Sequence, residues 1–249
     1  MPDHRQHRGP HPEDLQRFAP KQWPRLLVAV EELSWLLTRG YAMPSSLKIV
    51  GDRHQLCSRQ RLAVQRSSGS NQALQDRSQR RLLANDVAGR SLAIDGFNLI
   101  TTTEAALSGG VLLRGRDGCI RDMASMHGSY RKVHETEPAL RLIANVLAEL
   151  QPGTCRWVLD RPVSNSGRLR RMLESLGSEL KMAWTCELAN DADQVLEQTD
   201  DVVVTADCVI LDHGGPWLNL ASLVTAECTV PTKLVPLDGR HTALAAEPW

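Results

Sequence analysis

From Pro24 to Arg39 the chain places Leu26, Leu27, Val30, Leu33, Leu36 and Leu37 at helical spacing, with a proline suited to a first turn and Gly40 suited to a stop. This pattern predicts an amphipathic helix. A second helical region is expected over 46–67, interrupted near Gly51, and includes Arg53, Arg59, Arg61 and Arg66, of which Arg59 and Arg66 share a face. The Ser-, Gln- and Arg-rich stretch 67–86 reads as a linker or an exposed helix. Residues 1–23 hold four prolines and no apolar period, which predicts a loose leader.

The pattern changes after Arg90. Short apolar runs ending in polar or acidic residues, "SLAIDG", "CRWVLD", "KMAWTCEL" and "DVVVTAD", alternate with helical stretches over 135–150 and 167–176. Such alternation predicts β/α units on a mostly parallel sheet flanked by helices. The expected fold class is α/β over 89–249, preceded by a basic α-helical domain over 24–88. The aromatic share, 4%, suits an aliphatic α/β core better than an all-β one.

Composition adds three points. With 249 residues, 42% of them hydrophobic, the chain can bury a sizeable core, and it has no run of about eighteen apolar residues. Its N-terminus lacks an apolar signal core, which places the protein in the cytoplasm with no membrane partner. The six cysteines are far apart with no C-x-x-C pair, so they read as reduced, mostly buried residues. A zero net charge hides an asymmetry: 15 Lys and Arg stand against 8 Asp and Glu up to Arg90, and 14 against 21 after it. That division suggests a basic module for a polyanion joined to a body whose carboxylates gather for another purpose, or else two ordinary solvated surfaces.

Three of the expected strands end in aspartate, at Asp95, Asp160 and Asp207, and Asp193 lies where a loop enters a helix. In a parallel sheet these positions meet at the carboxyl edge, where mutual repulsion calls for a cation. Each aspartate alone is commonly a turn former or N-cap. Together, with no His/Cys set, they point to Mg²⁺ or Mn²⁺ rather than zinc.

"AIDGFNLI" resembles the first-strand signature of the PIN and NYN nuclease superfamily, and "DADQVL" with "VVVTADCVILD" resembles its later aspartates. More closely, "AVEELSWLLTRGYA", "GDRHQLCSRQRLAVQRSS", "LSGGVLLRGRDGCIRDMASMHGSYRKVHET" and "LDRPVSNSGRL" resemble an uncharacterised bacterial and archaeal family that joins an N-terminal helical domain of unknown function to a PIN-like domain. The resemblance implies a PIN-like, Rossmann-like sheet. It also implies Asp95, Asp193 and Asp207 as metal ligands, Asn98 orienting Asp95 or the attacking water, and an acidic helix residue for which Glu135 is the candidate and Glu137 the reserve. The insert 101–132 departs from the family pattern.

Two segments could face phosphate. In "SGGVLLRGRDG", Asp117-Gly118 is turn chemistry, so Arg114, Arg116 and Arg121 sit on a hairpin that either lies across a substrate backbone or pairs with Asp117 and Asp122. In "RPVSNSGRLRR", Ser164, Asn165 and Ser166 offer caps and free N–H groups at a helix start, with Arg168 on the first turn. His127 and His134 flank "GSYRKV" as candidate acid/base groups or ordinary surface histidines. The expected function is a divalent-metal-dependent nuclease, with RNA ahead of DNA, Arg59 and Arg66 among the backbone contacts, and self-association left open. The alternative is a non-catalytic nucleic-acid-binding or scaffold protein.

Overall fold

A computed structural model describes residues 7–124 and 130–239. Helices α1 (Asp14–Arg17), α2 (Trp23–Thr38), α3 (Met43–Arg53), α4 (Ser58–Ser67) and α5 (Asn71–Arg80) come first. There follow β1 (Arg81–Leu82), β2 (Ser91–Asp95), α6 (Gly96–Leu107), β3 (Val111–Arg114), β4 (Ile120–Asp122), α7 (Thr136–Leu150), β5 (Thr154–Asp160), α8 (Ser166–Glu179) and β6 (Trp184–Ala189). The chain continues through α9 (Ala192–Glu197), β7 (Val202–Val204), α10 (Cys208–His213), β8 (Trp217–Leu218), α11 (Leu220–Ala226) and β9 (Lys233–Pro236). No helix among the described residues is long and apolar enough to cross a membrane.

The main sheet has the order β1-β8-β7-β2-β5-β6, and every neighbouring pair is parallel. Strands buried on both faces read as continuous apolar runs, as Leu92, Ala93 and Ile94 do in β2. Helix α6 is buried almost along its length, with Phe97, Leu99, Ile100 and Ala106 in the core. Gly96 lets it start directly behind Asp95, because a Cβ there would lie 2.5 Å from Leu159 Cδ2 and 3.3 Å from the Val158 carbonyl oxygen. Gly96→Ala is expected to cost about 1–3 kcal/mol. The check is a lower urea midpoint at unchanged slope, and a loss under about 0.5 kcal/mol would mean that Leu159 swings aside freely.

A second, three-stranded sheet has the order β4-β3-β9, with β3 antiparallel to β4 and parallel to β9. The expected hairpin is present, with Gly118 at φ +78° in its turn. Its inner face, Val111 and Leu113 with Val235 and Leu237, packs against Leu26, Leu33, Val50 and Val64 of the N-terminal helices. These helices therefore share a core with the α/β body.

That shared core corrects two expectations. Of the two readings of 67–86 the exposed helix holds and the linker does not: α5 is mostly exposed yet docks on the body through Arg77, and β1 extends the main sheet beside β8. Residues 8–23 are not a loose leader: Arg8 and Phe18 are buried, and Arg8 Nε donates to Glu104 Oε2 at 2.8 Å. The second helical region divides at 54–57, where Gln55 takes φ +49°, and not at Gly51. Gly51 stays helical and leaves room for Arg61, whose Nη1 would lie 2.3 Å from a Cβ there.

Candidate active site

Strand β2 is the point where the sheet order changes direction, with β5 and β6 on one side and β7 and β8 on the other. Loops that leave neighbouring strands there part to opposite sides and open a crevice at the carboxyl edge. Asp95 ends β2, Asp160 ends β5, Asp193 sits in the first turn of α9, and Asp207 caps α10 after β7. All four line one cavity of about 820 Å³, together with Asn98. Burial pushes Asp95 up to about 7 and the negative charges of Asp207 and Asp193 add to the rise, against hydrogen bonds that oppose it. Asp193 is raised to about 6, by desolvation first and then by Asp207 and Asp160. The crevice concentrates negative charge.

Three of the carboxylates also have local work. Asp95 Oδ2 accepts from the Thr205 hydroxyl at 2.7 Å and Oδ1 from the Asn98 N–H at 3.3 Å. Asn98 orients Asp95 through that backbone N–H, while its side-chain Oδ1 accepts from the Ala206 N–H at 3.0 Å. Asp207 Oδ1 caps α10 by accepting from the Val209 N–H at 2.7 Å, and Asp160 Oδ1 accepts from the Ala192 N–H at 3.3 Å. Among the described residues, no three His, Cys, Asp or Glu side chains stand close enough to share one ion. The donor chemistry fits a hard divalent cation; a ready-made all-protein cage is absent from that set.

Of the remaining expected residues Arg66 and Arg121 also line the cavity, and the others fall elsewhere. Glu135 precedes α7, outside the residues lining the cavity, and its Oε1 meets His7 Nδ1 at 2.6 Å. Glu137 pairs with Arg141 on the exposed face of α7. Ser164, Asn165 and Ser166 do not line the cavity either. Their loop holds Tyr130, whose N–H donates to the Ser164 carbonyl at 3.1 Å and whose carbonyl accepts from Asn165 Nδ2 at 2.8 Å, while the Ser166 hydroxyl donates to the Arg161 carbonyl. Arg168 is exposed on α8. His127 lies outside the described residues, and His134 stacks on His7 at 4.8 Å.

The arginines expected to meet phosphate mostly meet the protein. Arg59 grips Asp14 with two bonds of 2.7 Å, and Arg114 donates to Asp238 at 2.7 Å. Arg121 is buried, donating to Asp117 from Nη1 and Nη2 and to the Ala206 carbonyl from Nε, so the hairpin's arginine is structural. Arg66 donates to the carbonyls of Asp122 and Ala124, yet it also lines the cavity. Within the first ninety residues Arg59 and Arg61 pair with acids of that same segment, and Arg8 and Arg77 with acids beyond it. Sequence reasoning missed Thr205, Arg77 and Asp212 in or beside the cavity. Thr205 could have been found as the hydroxyl between the end of β7 and Asp207.

Residues 84–223 match the family described as a domain of unknown function, DUF5616. The chain belongs to DUF5616. Upstream of the DUF5616 region, residues 25–80 match a protein of unknown function, DUF434, so the chain has the two-part arrangement its motifs resemble. The chain is also similar to the "Uncharacterized protein MJ0935" of Methanocaldococcus jannaschii, at 25% identity over 183 residues, 74% of this chain and 87% of that protein. No solved structure matches. The DUF5616 match contains Asp95, Asp160, Asp193 and Asp207, whereas Arg66 and Arg77 come from the DUF434 match.

Proposed function

We propose that this cavity hydrolyses phosphodiesters with Mg²⁺ or Mn²⁺, on a PIN-like fold, with RNA ahead of DNA as substrate. The observation that carries the proposal is that Asp95, Asp160, Asp193 and Asp207 line one cavity, where burial and mutual repulsion raise Asp95 and Asp193 above the usual carboxylate range. Carboxylates gathered in this way are stabilised by positive charge among them, and hard oxygen donors select Mg²⁺ or Mn²⁺. Asp95, Asp193, Asp207 and Asp160 would hold the ion. Mg²⁺ keeps several waters and takes only one or two carboxylates directly, so three convergent side chains are not required. When bound, such an ion activates water and neutralises charge on the phosphodiester.

The chain's own groups have separable tasks. The Thr205 hydroxyl and the Asn98 N–H fix the orientation of Asp95. Asp193 is exposed where it lines the cavity, so its carboxylate is open to an incoming ion. Purified protein is expected to cut strands in a mixed RNA and DNA pool with Mn²⁺ and not with chelator, and Asp207→Asn to slow cutting by about a hundredfold or more. Wild-type rates in that variant would sink the proposal. That no three donors converge among the described residues favours the second reading, a binding protein that does not cut. Nucleic acid bound without any Mn²⁺ heat in calorimetry would support that reading.

A further inference from the structure

The acidic edge forms only part of the cavity. Facing it are Leu37 of α2, Met43 of α3, and Leu62, Gln65 and Arg66 of α4. The three apolar side chains are half-buried and Gln65 is exposed, so this wall reaches solvent in the cavity without being sealed by packing. Arg66 is fixed on it: Nη1 donates to the Asp122 carbonyl at 2.5 Å and Nη2 to the Ala124 carbonyl at 3.0 Å. Carbonyls hold a guanidinium in place without cancelling its charge. Asp122, which also lines the cavity, makes only a long ion pair of 3.9 Å with Arg66, its oxygens being engaged by the Thr102 hydroxyl and the Ala124 N–H.

We infer that the N-terminal helices form the recognition wall of this cavity, which takes a single nucleoside phosphate, free or at the end of a strand. The inference rests on the hydrolytic reading for the role of the acidic side. Phosphate sits between Arg66 and the carboxylate edge, and the base lies on Leu37, Met43 and Leu62 with the Gln65 amide at its polar rim. Three features argue for this ligand. A volume of about 820 Å³ falls within the range of pockets that enclose a small molecule. One wall is cationic and apolar while the other is acidic, which matches a ligand with an anionic head, a flat apolar face and a polar edge. A base paired inside a duplex is stacked on both faces and cannot enter between two walls.

The test titrates the full chain with adenosine monophosphate, uridine monophosphate, inorganic phosphate, a 5′-phosphorylated single strand and a blunt duplex. Each titration is run with Mn²⁺ and with chelator, beside a separate calorimetric titration of Mn²⁺ alone. The mononucleotides or the single strand should bind at least tenfold more tightly than inorganic phosphate, and the duplex should not compete. Binding of the strand alone would assign the source to strand ends. Arg66→Gln and Ala73→Leu, the second narrowing the cavity from α5, should each weaken nucleotide binding tenfold or more. Gln65→Ala, at an exposed side chain, gives a variant whose folding is not at risk and should alter the preference between the two bases. Nucleotides bound no more tightly than phosphate, or bound equally by wild type and all three variants, would overturn the inference. If Mn²⁺ still binds in that case, the hydrolytic reading survives. Arg66-dependent nucleotide binding without any Mn²⁺ binding would instead keep the wall and remove the hydrolytic reading.

Discussion

Arg77→Ala should cost about 3–5 kcal/mol of folding stability, the loss typical of breaking a buried ion pair from one side. Arg77 is 2% exposed, and donates from Nη1 to Asp117 at 2.7 Å and from Nε to Asp212 at 2.6 Å. Its own carbonyl accepts from the Trp217 indole at 2.8 Å, so one residue ties α5 to the hairpin, to α10 and to β8. Burial alone would push the Asp117 carboxyl up, but the Arg121 and Arg77 guanidinium groups outweigh it and hold that carboxyl well below the usual range. A depressed carboxyl contributes stability that is complete above its unfolded value and is lost as pH falls toward the folded one. The Arg77 effect should therefore shrink in acid below about pH 4. Urea melts of Arg77→Ala, Asp117→Asn and the double variant measure the coupling, and a single-variant loss under about 1 kcal/mol would refute the assignment.

A second large effect runs the other way with pH. Asp95 titrates at about 7 when folded, against an ordinary value of 3.8. Between these two values the folded chain keeps a proton that the unfolded chain has released, so stability falls as pH rises from about 4 to about 7. The separation sets a ceiling of about 4 kcal/mol on the change. Asp95→Asn should flatten this slope and leave the protein more stable than wild type at pH 7.5. Mn²⁺ should restore wild-type stability at that pH and do little for the variant, since a ligand stabilises only the state that binds it. A constant difference between the two proteins from pH 4 to 8 would remove Asp95 as the source.

The sequence shows some elements plainly and hides others for physical reasons. β2 and β5 are readable because an apolar run that ends in a lone aspartate marks a buried strand and its carboxyl end. β6 begins at Trp184 rather than Lys181, because Lys181 at φ +54° and Met182, bonded back to the Gly177 carbonyl, still belong to the exit from α8. β1 and β8 have two residues each, too few for any periodicity to register. Helix α6 runs on to Leu107 through three threonines that look unfavourable for a helix. Thr101 and Thr103 donate back to the carbonyls four residues earlier, so they stay buried and satisfied.

For the site, position at the carboxyl edge was enough to bring four aspartates to one cavity, three of them after strands and Asp193 at the head of α9. Position along the chain could not reveal what the arginines meet. Arg59 and Asp14 are 45 residues apart, and Arg77 lies 135 residues from Asp212. Composition reports the sign of a charge and nothing about its partner, so Arg8 and Arg77 counted toward a basic first third although each is buried against an acid of the body.

The pairing of β9 with β3 has a consequence for the birth of the chain. Helices α2 to α4 leave the ribosome early, but Val235 and Leu237, which cover part of their apolar face, are among the last described residues to be made. At translation rates of roughly 5–20 residues per second the nascent protein carries an unfinished greasy surface for many seconds. It is during synthesis, more than in the finished state, that this protein should engage holdase chaperones, and slowing translation should raise the share that aggregates.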